Sequence, residues 1–190
     1  MNKWLIVLAF ITSFSLFSQD YKQNIEKEFS DYLETIVNKD FEKSVGYILP
    51  EFFEIVPKDQ MIQIMEQSFN NPEMEISLKD PKILNIEDKQ HIEDQYYALL
   101  SYSNTMIIKF IDEEEESQEF TNAIKQSFDQ TFGSENVKYN EESGSFEIYS
   151  VKKVCAISED GKSAWKFLVL EKNQKEILKR ILPQSIIEKI

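Results

Sequence analysis

From residue 95 to residue 111 the chain alternates with a period of two for about three times the length of an ordinary strand. Tyr96, Ala98, Leu100, Tyr102, Met106, Ile108 and Phe110 fall on one side, and Ser101, Ser103, Thr105 and Lys109 on the other. Successive side chains of a strand point to opposite faces, so this pattern predicts one strand with an apolar face and a partly solvated one. About 16 extended residues reach roughly 50 Å, against a usual strand of 5–6 residues. Such a strand must bend or carry a bulge. Asn104 is the polar intruder on the apolar face, so the break is expected there.

The segments before it read as helices. Ile25, Phe29, Tyr32, Leu33, Ile36 and Val37 recur at helical spacing over 21–38. Asp40 is placed to cap a short second helix carrying Phe41, Val45, Ile48 and Leu49, which Pro50 ends. Pro57 opens a third, with Met61, Ile62, Met65 and Phe69 on one side, stopping at Asn70-Asn71-Pro72. Met74, Ile76 and Leu78 then alternate until Asp80-Pro81 interrupts. After the long strand come an acidic run, Asp112 to Glu116, and an inserted amphipathic helix near 117–132 with Phe120, Ile124 and Phe128, stopped by Gly133. In 145–157, Phe146 and Ile148 share one phase and Tyr149, Val151, Cys155 and Ile157 the other, which predicts a bulge near Tyr149. Glu159 to Lys162 reads as a hairpin turn and Trp165, Phe167 and Val169 as the returning strand. Ile177, Leu178, Ile181, Leu182 and Ile186 to Ile190 give a C-terminal helix interrupted by Pro183. This is an α+β pattern of segregated elements: N-terminal helices packed on a strongly bent antiparallel sheet, their apolar stripes covering its concave side. A sheet bent in that way forms a cone that usually holds a pocket.

Residues 1–18 have the order of a secretory signal peptide: basic Lys3, an apolar run from Trp4 to Phe17, and small Ser18. A run of about 14 residues is short of the ~20 a membrane span needs. Export to the periplasm or the extracellular space is the expectation, with one domain over 19–190 and no membrane insertion after cleavage. Of the full chain's 55 charged residues 34 are acidic, and the net charge is −13. Losing Lys3 with the leader brings it to about −14. Such a chain repels nucleic acid and anionic membranes, which need clustered Lys and Arg. Cys155, the one cysteine, has no internal partner and apolar neighbours, so a buried, inert thiol is expected.

The runs Asp40-Phe41-Glu42-Lys43, Leu49-Pro50-Glu51-Phe52-Phe53, Pro57-Lys58-Asp59-Gln60-Met61 and Asn71-Pro72-Glu73-Met74 resemble small exported bacterial proteins of the nuclear-transport-factor-2-like (cystatin-like) fold. The strand Tyr102 to Phe110, the strand Trp165-Lys166-Phe167-Leu168 and the tail Ile181-Leu182-Pro183 are similar too. The helix near 117–132 departs from the simplest version of that fold. The resemblance implies a cone, and a homodimer formed through an exposed sheet face. It leaves activity open, because the fold hosts isomerases, dehydratases, cyclases and non-catalytic modules alike.

Catalytic signatures are thin. His91 is the single histidine and lies 64 positions from Cys155, which does not make a zinc set. Its charged neighbours Asp88 and Asp94 place it in an exposed loop rather than a triad. Tyr96, Tyr102 and Tyr149 are candidates to face a cavity, yet no Asp or Glu shares the apolar positions of the sheet to act as a base. Phosphate-cradling glycine loops and the spaced ligands of a calcium loop are missing, so neither cofactor nor metal is expected. Tyr102, Asn104, Met106 and Trp165 are the candidate ligand-binding residues, with Asn104 as the polar contact. The expected function is an exported, non-catalytic domain that binds a small apolar molecule or a protein through the cone or the sheet face. A pocket enzyme of the isomerase or hydrolase kind, and an acidic inhibitor or immunity protein masking a basic partner, are the alternatives. A buried carboxylate beside a tyrosine would mark the enzyme.

Overall fold

The computed structural model describes residues 4–111 and 117–189, with side chains described from Asp20 onward. The acidic run 112–116, Met1 to Lys3 and the side chains of the expected leader lie outside the described residues. Helix α1 runs Trp4–Val37. Tyr21, Ile25, Phe29, Leu33 and Ile36 form its buried stripe at spacings of three and four. It ends where Lys39 enters the left-handed region (φ +57°), with the Asp40 amide donating back to the Thr35 carbonyl at 2.8 Å. Asp40 then caps α2 (Phe41–Ser44), its carboxylate accepting from the Lys43 amide. Single-turn helices follow at Val45–Tyr47 and Pro50–Glu54, and α3 spans Lys58–Phe69 from Pro57. Among the described residues no helix is long and apolar enough to cross a membrane.

One antiparallel sheet follows. Its strands are β1 (Met74–Ile86), β2 (Gln90–Ile92), β3 (Gln95–Phe110), β4 (Val137–Asn140), β5 (Ser145–Ser158) and β6 (Lys166–Val169). β3 and β5 form the centre. β1 and β2 share the outer flank of β3, and β4 and β6 share the outer flank of β5. Helix α4 (Gln118–Phe132) is the insertion between β3 and β4; Ser117 caps it and Gly133 (φ +88°) stops it. The short helices α5 (Lys175–Leu178) and α6 (Gln184–Ile187), split by Pro183, close the described chain. β2 and β4, of three and four residues, were too short to show a sequence period.

Two expected breaks are absent. β3 pairs with β5 in one unshifted register from Tyr96↔Ser158 to Lys109↔Ser145, straight through Asn104 and Tyr149. The irregularities sit in β1, between Lys79 and Lys82 and between Ile83 and Asn85. Asp80 takes a positive φ there, so Asp80-Pro81 makes a bulge rather than an end. The extra residues go to an edge strand, where disrupting the ladder costs one set of hydrogen bonds instead of two.

The apparent phase change in β5 has another cause: the sheet is covered on two sides. On the first face, Ala98, Leu100, Tyr102, Val154, Ala156 and Phe167 pack under α1. Further along the same face, Ile108, Phe146 and Ile148 pack under α4 through Ile124, Phe128 and Phe132. On the second face, Tyr97, Leu99, Cys155, Ile157 and Leu168 pack against Val45, Ile48 and Leu49, against α3 through Met61 and Met65, and against Leu178, Leu182 and Ile186. The early helices therefore do not all cover one side: α1 lies on one face and the segments after it on the other. At this end β3 and β5 are apolar at both parities, so both faces had to be buried.

Candidate functional site

Tyr102, Asn104 and Met106 do share a face, in a column along β3 between the α1 and α4 clusters. Tyr102 is packed edge-on against Phe29 at 5.1 Å, and burial pushes its hydroxyl from an ordinary value near 10 up to about 12. Asn104 is buried, its side-chain oxygen accepting from Ser150 Oγ at 3.2 Å. Met106 flanks the α4 cluster. Trp165 lies with the α1 cluster instead. Its ring sits 6.4 Å from Tyr21, its indole N–H donates to the Lys162 carbonyl, and its amide donates to the Glu28 carboxylate at 2.7 Å. The structure thus brings three of the four together and uses Tyr102 and Trp165 in packing.

The buried polar side chains among the described residues are Thr35, Ser44, Ser103, Asn104, Thr121, Ser145 and Ser158, and no carboxylate is among them. Tyr102 and Tyr32, the latter also pushed up by burial, therefore have no buried acid beside them. Cys155 is fully buried and its thiol is pushed up to about 12. No group of three or more His, Cys, Asp or Glu among the described residues is arranged to hold a metal. His91 is exposed, as expected, but on β2 rather than in a loop; its ring stacks on Tyr96 at 4.4 Å.

Around it lies a structural clamp. Lys89 Nζ sits 4.3 Å from the centre of the Tyr21 ring and 5.1 Å from that of Tyr96, and donates to the Gly161 carbonyl. Desolvation, then the Lys162 charge, hold the Lys89 ammonium below its ordinary value. Asp160 stabilises the neighbouring loop by accepting from the Ser163 and Lys162 amides, which hold its carboxyl well below the usual range. This joins α1, β2 and the β5–β6 loop. A groove of about 660 Å³ lies between Glu26, Ser30 and Glu34 of α1 and the β1 bulge with Lys79 and Lys82.

The second face of the sheet has a different character beyond the helices. Register sets its rungs. Lys79, Thr105 and Tyr149 form one, Lys82, Ser103 and Val151 the next, and Asn85, Ser101 and Lys153 the third. Tyr149 is 44% and Val151 53% exposed. No helix among the described residues contributes to a core cluster on these rungs. Tyr149 therefore does not share a cavity with Tyr102; the two point to opposite faces. This open half was not picked out from the sequence, where the switch from Phe146 and Ile148 to Tyr149 and Val151 reads as a phase change.

Compared with known proteins, the chain matches no family model, and no curated protein is similar to it.

Proposed function

We propose that this chain is an exported, non-catalytic domain of nuclear-transport-factor-2-like fold that docks a protein partner through the open half of its second sheet face. One observation carries the reading: Tyr149 and Val151 stand exposed on adjacent rungs of the two central strands, while the other end of the same face is buried under helices. Central strands are where a sheet normally buries apolar side chains, so exposing them there marks a contact surface. Helices before the sheet and a closing helical tail after it support the fold family, with α4 as an insertion. The interior speaks for binding at the surface rather than for chemistry, because Tyr102 and Trp165 are committed to packing, no carboxylate is among the buried polar side chains of the described residues, and Glu28 accepts from the backbone amide of Trp165.

Native mass spectrometry of the protein purified from its own compartment tests this. The wild-type chain is expected to carry a stoichiometric partner that the Tyr149→Thr/Val151→Thr variant, equally folded by circular dichroism, has lost. Identical assemblies from both proteins, or a retained small molecule in place of a protein, would overturn the reading.

A further inference from the structure

Of the four glycines in the chain, Gly161 is the one that follows an aspartate, and none follows an asparagine. An Asp-Gly step is chemically labile, because glycine has no side chain to shield its amide nitrogen from the neighbouring carboxyl carbon. Attack by that nitrogen forms a C–N bond as the carboxyl loses water, giving a succinimide ring. Water then opens the ring at either carbonyl. One opening restores aspartate; the other leaves isoaspartate, in which the backbone runs through the side-chain carbon. The net change is an isomerisation and needs no oxidant or cofactor. The fold cannot dispense with this step, since Gly161 sits at φ +64° where a side chain would collide with the Tyr96 ring. In the folded loop both reacting groups are occupied. The Gly161 amide donates to Ser158 Oγ at 3.1 Å. One Asp160 carboxylate oxygen accepts from the Lys162 and Ser163 amides at 2.7 and 2.9 Å and lies 2.9 Å from the Ser158 hydroxyl; the other accepts from Ser163 Oγ at 2.8 Å. Ring closure proceeds by loss of water from the neutral acid, whereas these donors keep the carboxyl ionised, well below its usual range.

We infer that Asp160-Gly161 is a latent isoaspartate site, kept unreactive by the closed 158–163 loop and converted only while that loop is open. Ser158 is its guard, the one loop side chain that touches both the Gly161 amide and the Asp160 carboxylate. The consequence falls on α1. The Lys162 carbonyl accepts from Asn24 of α1 at 2.8 Å and from the Trp165 indole, and the Gly161 carbonyl accepts from Lys89. An isoaspartate lengthens the backbone by one methylene just before these carbonyls and moves the free carboxylate to a different carbon. The loop then cannot keep both its own turn and its hold on α1, and reclosing does not reverse the change. The loop lies at the covered end of the sheet, where Ser158 pairs with Tyr96, and is independent of the docking face.

The full chain is aged in buffer and in urea at one pH, and isoaspartate at 160 is read by electron-transfer fragmentation of the tryptic peptide 154–162. Conversion is expected in urea and about tenfold or more slower in buffer, where reaction passes only through the open loop. Ser158→Ala, equally folded by circular dichroism, removes both guarding contacts and should speed conversion in buffer about tenfold. Ser163→Ala removes one exposed contact to Asp160 and should speed it about threefold, which keeps the guarding testable if Ser158→Ala does not fold. Phe128→Ala weakens the α4 cluster instead and should leave the rate within about twofold. Equal rates in buffer and urea, or no conversion in urea, would overturn the site. Equal acceleration by Ser158→Ala and Phe128→Ala, or none by either serine variant, would overturn the guarding. The converted chain, returned to buffer, should lose hydrogen-exchange protection over residues 21–29 of α1; full protection there would overturn the release of the helix.

Discussion

The two ends of the β3–β5 pair share one register and differ in what covers them. From Tyr97 to Leu100, opposite Val154 to Ile157, both faces are buried and the β5 sequence is a continuous apolar run, Val154-Cys155-Ala156-Ile157. From Ser103 to Lys109, opposite Ser145 to Val151, only the α4 face carries an apolar core cluster, and on the other face Ser103 and Ser145 are buried while Tyr149 and Val151 are exposed. Local composition, not a break in the strand, records how many faces are packed. Stability is concentrated at the first end, and binding is proposed at the second.

The largest expected effect is at the doubly covered end. Phe29 is fully buried between Tyr102 and Phe167, so Phe29→Ala should cost about 3–5 kcal/mol in urea unfolding. Phe128, half-buried on α4 against Phe146, should cost less when cut to alanine, about 1–2 kcal/mol for Phe128→Ala. Reversed magnitudes would break the contrast.

The same end should be the alkali-sensitive one. Tyr102 titrates near 10 when unfolded and is pushed up to about 12 when folded. The folded state therefore holds its proton more tightly. The associated stability is complete below pH 10 and is lost as pH rises toward 12, amounting to about 2–3 kcal/mol. Cys155, also pushed up to about 12, adds in the same direction. Tyr102→Phe keeps the packing and should flatten part of this decline in stability measured from pH 9 to pH 12; an unchanged slope would place the hydroxyl in solvent.

Gly161 tests the clamp that ties the covered end to α1. It has φ +64°, and a Cβ there would sit 2.5 Å from the Tyr96 ring. Gly161→Ala should cost about 1–3 kcal/mol in thermal unfolding. Smallest of all, Tyr149→Thr and Val151→Thr on the open half should each change stability by no more than about 0.5 kcal/mol, separating any loss of binding from a loss of fold.

Much of the architecture was readable from spacing. The α1 stripe, the Asp40 cap, the Pro57 start, α4 and its Gly133 stop all follow from side-chain period and backbone preference acting locally. What local pattern could not supply was coverage. Tyr149 and Cys155 share a parity, yet one meets solvent and the other meets Leu168 and Leu178; only the path of distant helices decides between them. The open rungs were hidden for the same reason, since Tyr149 and Val151 meet Thr105, Ser103, Lys79 and Lys82 only through the register of three strands. The bulge at Asp80-Pro81 was visible as an interruption, but whether the strand resumed depended on its pairing with β3.

A cysteine scan of β5 reads the contrast directly. In a Cys155→Ala background, single cysteines at 149, 151 and 157 are compared with native Cys155 for their rate of maleimide labelling. Cysteines at 149 and 151 are expected to label as fast as an unfolded peptide, and those at 155 and 157 only as fast as the whole domain opens. Protection at 149 and 151 that persists on dilution to a monomer, or rapid labelling at 155, would contradict a sheet closed on both faces at one end and open on one face at the other.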